Sequence, residues 1–483
     1  MELKPDQVLY ICKGDTEIAD VFTLLLEQNR TLLEQNQKLE RRVHELERQL
    51  GQNSQNSSKP PSSDGFRKPK NSRVAGGKKG APKGHDGHTL RFAECPDEII
   101  VYTLEVCSCC QTALQSVPAL AHEARQVFDL PAPRVVVTEH RSEHKICPSC
   151  GVKARAPFPE GVHARTQYGA SFSAWTTYLS VYQLLPLERI AQCYEDLCGC
   201  RPSEATLLAQ LGKAASALEA TEIQIREQVR KLPVLHADET GLRVGKQIKW
   251  MHVASDSQWT FLQIHESRGS RGMDEAGVLP HFTGVLVHDS YASYFKTHYD
   301  FEHALCGAHL LRECQGIVEH DKHEWAKQMH TFLHEAWKAA KASRNAQQPL
   351  TADGLDQWKD RYDAILKSGE AEWAQDALRE KTGPRGRKMG SKASNLGKRM
   401  NTQKPAILRF LSDARVPFDN NQAERDIRMT KVKHKISGCF RTEQGAKQFA
   451  RLRSVISTLM KQGKPILDSL TYALRYRTSL VEC

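Results

Sequence analysis

The first fifty residues repeat their apolar positions every seven residues. One set of repeating positions carries Ile18, Leu25, Leu32, Leu39 and Leu46, and its companion set carries Phe22, Asn29, Asn36, Val43 and Leu50. This a/d pattern predicts a coiled coil over residues 1–50, with the two asparagines fixing the register of a parallel dimer. The alternative is a single amphipathic helix that lies on the body of the protein.

Apolar residues almost disappear between residues 51 and 90, where Gly, Ser, Pro and Lys dominate. Such a segment cannot bury a core, so we predict a disordered linker. Its basic side chains are expected to neutralise DNA phosphates, although a merely soluble linker would have the same composition. The predicted DNA contacts are Arg67, Lys68, Lys70, Lys78 and Lys79.

Helical periodicity marks residues 166–232. A helix is predicted from about Pro186 to Leu197, followed by a turn at Gly199 and a second helix that Ser203 caps. The helical pattern continues to Leu232. Two short helices about a turn favour a helix-turn-helix-like DNA-binding domain, with a plain packing unit as the alternative. Its expected groove face consists of Glu204, Thr206 and Gln210.

Beyond Pro233 the pattern changes to short strands. The predicted order is three strands (PVLHADETGLRV, KWMHVASD, TFLQIHES), a helix near residues 271–279 and a fourth strand (GVLVHDS). This order predicts the first part of a ribonuclease-H-like core over residues 233–312. Asp238 lies in the first strand and Asp289 ends the fourth, so the two carboxylates are expected side by side.

Residues 313–410 return to helical periodicity and predict an all-α insertion, after which residues 411–483 complete the core. A basic stretch within the insertion is expected to face DNA through Arg385, Arg387 and Lys388, unless it is only a solvated charge run. Glu424 follows Asp419 and Gln422, which are spaced like a capping pair. Glu424 is therefore expected in the second turn of a helix. The fold class is a multidomain α/β protein.

Charge and composition narrow the possible partners. The chain has 483 residues, a formal net charge of +11 and a pI near 8.9, which favours nucleic acid as a partner over a neutral surface. No apolar run is long enough for a membrane span, and the N-terminus lacks a signal-peptide core. A cytoplasmic location is therefore expected, in which the 14 cysteines bind metal rather than form disulfides.

Two CxxC pairs separated by 36 residues predict a structural zinc site in a domain over residues 91–165. The expected ligands are Cys107, Cys110, Cys147 and Cys150. Cys109 is a substitute for either member of the first pair, and free thiols are the alternative. Between the pairs, the stretches QVFDL and RVVVTEH predict a small sheet.

Asp238, Asp289 and Glu424 are the predicted catalytic residues. Three such carboxylates can hold two Mg²⁺ ions about 4 Å apart for phosphoryl transfer. His236 and His288 flank the aspartates and are expected to support the site rather than bind metal. Arg428 lies four residues after Glu424, where it can pair with that carboxylate or clamp a phosphate.

The HADET, HDSYASY, CGAHLLRE and DNNQAERDIR segments together resemble the transposases of insertion-sequence family sixty-six. The resemblance extends over nearly the whole chain, because that family also has an N-terminal zipper, an SSKPPSSDG-type linker and paired CxxC motifs. It implies an acidic triad at Asp238, Asp289 and Glu424, with Cys306 and His309 at the edge of the site.

The resemblance also implies a function and partners. Such enzymes cut DNA at the inverted repeats of a bacterial element with water and join the 3′-hydroxyls to target DNA. They are expected to be associated with the nucleoid, to form homo-oligomers and to work with small accessory proteins that the element supplies. The rival functions are a non-catalytic zinc-containing DNA-binding regulator and a nuclease of the same fold that does not join DNA.

Two departures from the family pattern stand out. The family usually has Cys-Trp-Ala-His followed by two arginines, whereas this chain has Gly307 between Cys306 and His309, with Leu311 before Arg312. The chain also ends soon after the last segment that resembles the family, which predicts a shortened C-terminal region.

Overall fold

The computed structural model describes residues 5–57, 90–376 and 390–480. The chain divides into two compact units, of which the larger comprises residues 1–69, 142–191 and 202–483 and the smaller residues 70–141 and 192–201. Among the described residues, every helix is too short or too polar to span a bilayer. The basic residues predicted to contact DNA all lie outside the described residues, at Arg67, Lys68, Lys70, Lys78, Lys79, Arg385, Arg387 and Lys388.

Two helices open the larger unit, α1 (Pro5–Ile11) and α2 (Thr16–Gly51). Helix α2 starts behind Asp15, whose Oδ1 accepts the backbone N–H of Ile18 at 3.1 Å as an N-cap. The heptad side chains are between 41% and 62% exposed, at Ile18, Leu25, Leu32, Leu39 and Leu46. The seam is therefore open to a partner, and the coiled coil stays a prediction.

The second CxxC pair lies in the larger unit, between the antiparallel strands β1 (His144–Ile146) and β2 (Lys153–Arg155). In the smaller unit, Val106 and Ala113 form an isolated bridge around the first pair. The predicted small sheet between the pairs is wrong, because the described residues 114–143 contain no strand. Val135, Val136 and Val137 favour strands by composition but remain exposed, with no neighbouring strand to pair with.

A helical segment follows, made of α3 (Ala170–Thr177), a π-helical turn, α4 (Leu187–Cys198), α5 (Glu204–Ala217) and α6 (Glu219–Arg230). The predicted boundaries around the turn are confirmed: Gly199 has φ +66°, and the Ser203 hydroxyl accepts the backbone N–H of Thr206 at 3.1 Å. DNA reading by these helices stays a prediction.

Two details of this helical segment were predicted wrongly. The long helix expected up to Leu232 breaks at Leu218, where φ −95° and ψ 10° turn the chain. The Leu218 side chain is fully buried there, so α5 and α6 both reach the core. Gln210 cannot contact a DNA groove, because its side chain is buried and accepts the Ser173 hydroxyl at 2.5 Å.

A mixed five-stranded sheet forms the centre of the larger unit. Its elements are β3 (Val234–Val244), β4 (Gln247–Ser255), β5 (Thr260–His265), helix α7 (Ser270–Glu275), β6 (Val285–His288) and β7 (Glu302–Leu305). The strand order is β5-β4-β3-β6-β7, with antiparallel pairing from β3 to β5 and parallel pairing from β3 through β6 to β7. The strand, helix and strand order predicted from the sequence is confirmed, with β7 added.

Five helices follow β7, namely α8 (Gly307–His320), α9 (Glu324–Ala346), α10 (Ala352–Trp373), α11 (Lys392–Thr402) and α12 (Lys404–Ser412). Helix α8 runs continuously across the predicted domain boundary at residue 312. Successive residues of β6 point to opposite faces of the sheet. Val285 and Val287 pack with these helices, and Leu286 packs in the hydrophobic cluster on the other face. The sheet is therefore covered on both faces.

Three helices end the chain, α13 (Asn421–Ser437), α14 (Glu443–Lys461) and α15 (Ile466–Tyr476). Helix α14 covers the open edge of β5, because the Ser454 hydroxyl accepts the N–H of Leu262 at 2.8 Å and the Thr458 hydroxyl accepts that of Thr260 at 3.1 Å. An exposed edge strand would otherwise invite pairing with another chain.

The end of α2 packs against the end of α8 within the larger unit. Arg48 forms an ion pair with Asp321 at 2.9 Å, and the Asn56 amide donates to Glu319 at 2.5 Å. Gly316 on α8 has no room for a side chain, because a Cβ would overlap the Asn56 carbonyl. The predicted zipper helix is thus anchored on the helix whose other end reaches the candidate site.

Candidate active site

The candidate site begins with a row of residues at the ends of three neighbouring strands. Strands β3 and β6 pair with a register offset of 285 − 234 = 51, and Asp289 − Asp238 gives the same 51. Strands β6 and β7 pair with an offset of 302 − 285 = 17, which places Cys306 level with Asp289. Continued past the last paired residues, these registers bring Asp238, Asp289 and Cys306 level with one another at the ends of the strands.

Asn420 connects this row to the helix that carries Glu424. Strand β6 stops pairing with β3 after His236, and the Asn420 amide donates to the freed Ala237 carbonyl at 2.8 Å. The Asn420 side-chain oxygen lies 2.8 Å from His236 Nδ1, and its backbone N–H donates to Cys306 Sγ at 3.2 Å. With 1% exposure, Asn420 is a buried polar link between β3, β7 and α13.

Glu424 lies in the first turn of α13, and the prediction of the second turn is wrong. The helix begins at Asn421 because Asn420, rather than Asp419, occupies the N-cap position. The Asn420 side chain bonds to β3 instead of capping the helix. Asp419 accepts only the N–H of Asn421, at 3.1 Å.

The three predicted carboxylates meet in one region. The pKa of Asp238 is raised well above its usual value, mainly because the carboxyl is buried and then because Glu239, Asp289 and Glu424 are close. Two backbone N–H groups hold the aspartates, since Asp238 accepts from Glu239 at 2.8 Å and Asp289 from Tyr291 at 3.0 Å. A crowded set of carboxylates is the donor set that divalent cations bind.

Ser290 immediately follows Asp289 and adopts φ +71°, a left-handed conformation that is uncommon for residues other than glycine. The turn that follows β6 therefore carries backbone strain of order 1 kcal/mol or more. Its backbone is held by the bond from Ser290 N–H to His288 Nδ1 at 3.2 Å.

Glu239 is a fourth carboxylate that sequence reasoning missed. It is buried and accepts the Tyr294 hydroxyl at 2.7 Å and the Arg268 guanidinium at 2.8 Å. Burial, and then the nearby Asp289, raise the pKa of Glu239, against the effect of these two partners. Arg268 also lies 4.3 Å from the Tyr291 ring centre. This cluster fixes the strand next to Asp238. The sequence signal for Glu239 was its position directly after Asp238 in the HADET segment.

Cys306 and His309 lie beside Glu424, as the resemblance implied. His309 Nδ1 is 3.8 Å from Glu424 Oε1. Arg428, the other predicted supporting residue, makes no ion pair with Glu424 in the described structure and has an exposed side chain. His309, rather than Arg428, is therefore the side chain next to the third carboxylate.

His236 and His288 are both buried. Burial lowers the pKa of His236, against its bond to Asn420, and burial with the nearby His303 lowers the pKa of His288 well below its usual value. His288 Nε2 lies 3.0 Å from His303 Nδ1. These contacts agree with the prediction that both histidines support the site.

The Phe418 ring explains why residue 307 is a glycine, where the family usually has a tryptophan. A Cβ at this position would overlap the Phe418 ring, and the Gly307 N–H donates to the Phe418 carbonyl at 2.8 Å. Phe418 is buried and stacks on Trp337, with ring centres 5.4 Å apart. An aromatic ring from the segment before α13 thus occupies the space beside Cys306, and residue 307 must be small.

The two cysteine pairs form similar turns. Cys107 N–H donates to the Thr112 carbonyl, and Cys147 N–H donates to the Val152 carbonyl, both at 2.9 Å. Hydrogen bonds, first from the Thr112 hydroxyl, lower the pKa of Cys110 to about 7. Backbone N–H groups of Cys150 and Ser149 lower the pKa of Cys147. Turns that favour thiolates are typical of zinc ligands.

Three known families match stretches of this chain. The transposase IS66 family matches residues 165–448, which is more than half of the chain. A zinc-finger binding domain of transposase IS66 matches residues 105–151, which include both cysteine pairs. A family of unknown function matches residues 14–91.

A curated relative also matches this chain, namely the uncharacterized protein y4qI of Sinorhizobium fredii (strain NBRC 101917 / NGR234). It is 25% identical over 313 residues, which cover 60% of this chain and 56% of that protein. The match therefore spans little more than half the length of this relative.

Proposed function

Because this chain belongs to the IS66 transposase family, we propose that it cuts DNA at the ends of its element and joins the 3′-hydroxyls to target DNA. Asp238, Asp289 and Glu424 are the proposed catalytic residues. The observation that carries the proposal is geometric: the Asn420 amide at the start of α13 donates to the Ala237 carbonyl beside Asp238, which brings the helix of Glu424 to the end of β3. The register of β3 and β6 supports the placement of the two aspartates.

The residues present fit two Mg²⁺ ions. Carboxylate oxygens are the ligands that Mg²⁺ prefers, and Glu424 Oε1 is buried without a hydrogen-bond partner. When bound, such ions activate the attacking oxygen and stabilise the leaving one. Neutralising the crowded carboxylates would also remove the cost of burying them together.

The chain's own residues contribute position and charge. Backbone register holds Asp238 and Asp289, and Asn420 orients the start of the helix that carries Glu424. Arg428 is exposed one turn after Glu424, where its guanidinium can reach a DNA phosphate. Positioning and charge of this kind supply most of the catalysis in phosphoryl transfer.

The sheet supports a ribonuclease-H-like core. Three antiparallel strands followed by two parallel ones, in the order β5-β4-β3-β6-β7, place the acidic residues on the central strands. Helices α9 to α12 separate β7 from α13 and correspond to the proposed all-α insertion. The third carboxylate therefore joins the first two only when the segment after the insertion packs on the sheet.

The direct test is cleavage of a duplex that carries the element's terminal repeat, in Mg²⁺, by the wild type and Asp289→Asn. We expect the substitution to reduce cleavage by about 10³-fold or more, the scale at which a group that stabilises developing charge acts. Asp300→Asn, on an exposed residue of the segment before β7, is the matched control and should cleave normally. Equal cleavage by wild type and Asp289→Asn would refute the catalytic role.

A second assay separates strand transfer from simple cleavage. Supplying pre-cut 3′ ends with target DNA should give joined product with the wild type. Cleavage without joined product would favour a nuclease of the same fold. Binding to the repeat with neither reaction would favour the non-catalytic regulator.

We also propose that Cys107, Cys110, Cys147 and Cys150 bind one structural Zn²⁺. The matching zinc-finger domain and the lowered pKa of two of these thiols support it. Metal analysis of the Cys147→Ser/Cys150→Ser variant should show about one zinc fewer per chain. Cys109→Ser is the control, and unchanged zinc in the double variant would refute these ligands.

The partners proposed are DNA and a second copy of the chain. The open heptad seam of α2 supports a parallel dimer, and joining two DNA ends requires two active sites. Such a protein would work in the cytoplasm at the nucleoid.

A further inference from the structure

A second ligand set lies at the edge of the candidate active site. Among the described residues, one group of three or more His, Cys, Asp and Glu side chains has its ligand atoms within 4.8 Å of one another: Cys306, His309 and Glu424. Cys306 occupies the N-cap of α8, His309 lies in its first turn, and Glu424 lies in the first turn of α13. Two helix starts therefore converge on this group.

Two of its polar atoms have no partner. His309 Nδ1 and Glu424 Oε1 are both buried and receive no hydrogen bond from the described part of the chain, although they are 3.8 Å apart. A buried polar atom left unpaired is unfavourable, so such atoms are rare in folded proteins. One cation bound between them would satisfy both.

Two features beside the Cys306 sulfur favour a negative charge, and burial opposes them. The sulfur accepts the Asn420 N–H at 3.2 Å and lies at the positive end of α8, which both favour a thiolate. Without a cation, burial has the larger effect and raises the pKa of Cys306 to about 12. Binding of a metal ion would replace the thiol proton, which is released to solvent.

We propose that Cys306, His309 and Glu424 form a binding site for one thiophilic divalent cation of the Zn²⁺ class. One sulfur, one nitrogen and one oxygen suit zinc, whereas Mg²⁺ prefers oxygen alone. Ligand atoms around a tetrahedral zinc are roughly 3.4–3.6 Å apart, from bond lengths of about 2.0–2.3 Å. The three ligand atoms lie within 4.8 Å of one another, so the largest adjustment needed is about 1.4 Å. Three protein ligands leave a fourth position open.

This site is separate from the cysteine pairs and shares Glu424 with the proposed catalytic set. If the proposed function holds, zinc at this site withdraws Glu424 from Mg²⁺ and inhibits cleavage. That consequence rests on the proposed function. Cation binding itself does not, and it can be measured without DNA.

The test uses the full chain and Co²⁺ as a spectroscopic probe of thiolate ligation. In a background in which Cys107, Cys109, Cys110, Cys147 and Cys150 are all replaced by Ser, Co²⁺ titration should still produce a near-ultraviolet sulfur-to-cobalt charge-transfer band, and Zn²⁺ should abolish it. Adding Cys306→Ser should remove the band. Cys314→Ser is the matched control, because Cys314 is a buried thiol on the same helix outside the group.

Two further variants keep Cys306 and replace the other two ligands conservatively, so that weaker Co²⁺ binding is not caused by misfolding. His309→Asn and Glu424→Gln should each weaken Co²⁺ binding by at least about 10-fold. The proposal is overturned if the background variant shows no band, if the band survives Cys306→Ser, or if both conservative variants bind Co²⁺ as tightly as the background. Failure of the wild type to cleave DNA, with the band present, would count against the proposed function alone.

Discussion

The candidate site has two halves that are built in different ways. The sheet half consists of Asp238 and Asp289, whose positions follow from the register of β3 and β6. The helix half consists of Glu424 and His309, which the first turns of α13 and α8 present. Many backbone bonds fix the sheet half, whereas the side chain of Asn420 makes the link to the helix half.

Because the two halves are built differently, they should respond differently to substitution. In the sheet half, burial and neighbouring charge disfavour the ionised form of Asp238, but the strand register fixes the position of the carboxylates. In the helix half, position depends on a few buried polar contacts that one substitution can remove. Substitutions in the first half should therefore change charge without moving the site, and those in the second should move the site without changing its charge.

The largest effect is expected from Asp238→Asn. Cleavage should fall by about 10³-fold or more, because a proposed charged ligand is lost while the strand stays in register. The folded protein should at the same time become more stable at neutral pH when metal is removed by EDTA. Thermal unfolding of both proteins measures this gain.

The sign follows from the raised pKa of Asp238 in the folded state. As the pH rises, the carboxyl ionises first in the unfolded chain, so the wild type loses stability as the pH rises through the folded pKa. The asparagine side chain of the variant cannot ionise, so the advantage of the variant should vanish below about pH 4, near the pKa of an unperturbed aspartate. A stability difference independent of pH would contradict burial of a charged Asp238.

Asn420→Ala should test the helix half. The change leaves the Ala237 carbonyl and His236 Nδ1 without their partner, at a cost of about 1–3 kcal/mol in the free energy of unfolding. Cleavage should fall by about 10–100-fold, the range for residues that orient a ligand. Urea unfolding and the cleavage assay measure the two effects.

Asn421→Ala is the matched control, because Asn421 is the exposed neighbour at the start of α13. It should change both quantities little. If Asn420→Ala unfolds like the wild type and still cleaves fully, Asn420 does not hold the two halves together.

The two halves also differ in how far the sequence could predict them. The order of strands and helix after Pro233 was enough to place Asp238 beside Asp289, because the first and fourth strands are neighbours in the predicted core. The role of Asn420 could not be predicted, since its contact with His236 joins positions 184 residues apart in sequence. Local spacing suggested instead that Asp419 caps the helix, and this placed Glu424 in the wrong turn.

The same limit explains the other errors. The exposed valines at residues 135–137 favour a strand locally, but a strand needs a neighbour that the sequence does not reveal. Gln210 has the spacing of an exposed helix face, yet a bond to Ser173 buries it. In each case tertiary contacts determine the structure, and the local sequence pattern does not reveal those contacts.

A smaller effect is expected from Gly307→Ala, at the place where the sheet half meets the segment before α13. The new methyl group would overlap the Phe418 ring, and overpacking of this kind costs about 1–3 kcal/mol. Because Phe418 lies just before Asn420, moving the ring should also lower cleavage, though by less than Asn420→Ala does. Phe418→Leu alone should destabilise the protein through a cavity beside Trp337.

The double variant Gly307→Ala/Phe418→Leu separates steric overlap from general damage. If Phe418 is what excludes a side chain at residue 307, the smaller leucine makes room for the methyl group. The double variant should then lose less stability than the sum of the two single changes, by about 0.5 kcal/mol or more in a double-mutant cycle. Strict additivity would show that Gly307 is required for another reason, and that the ring does not set the junction between the sheet half and the helix half.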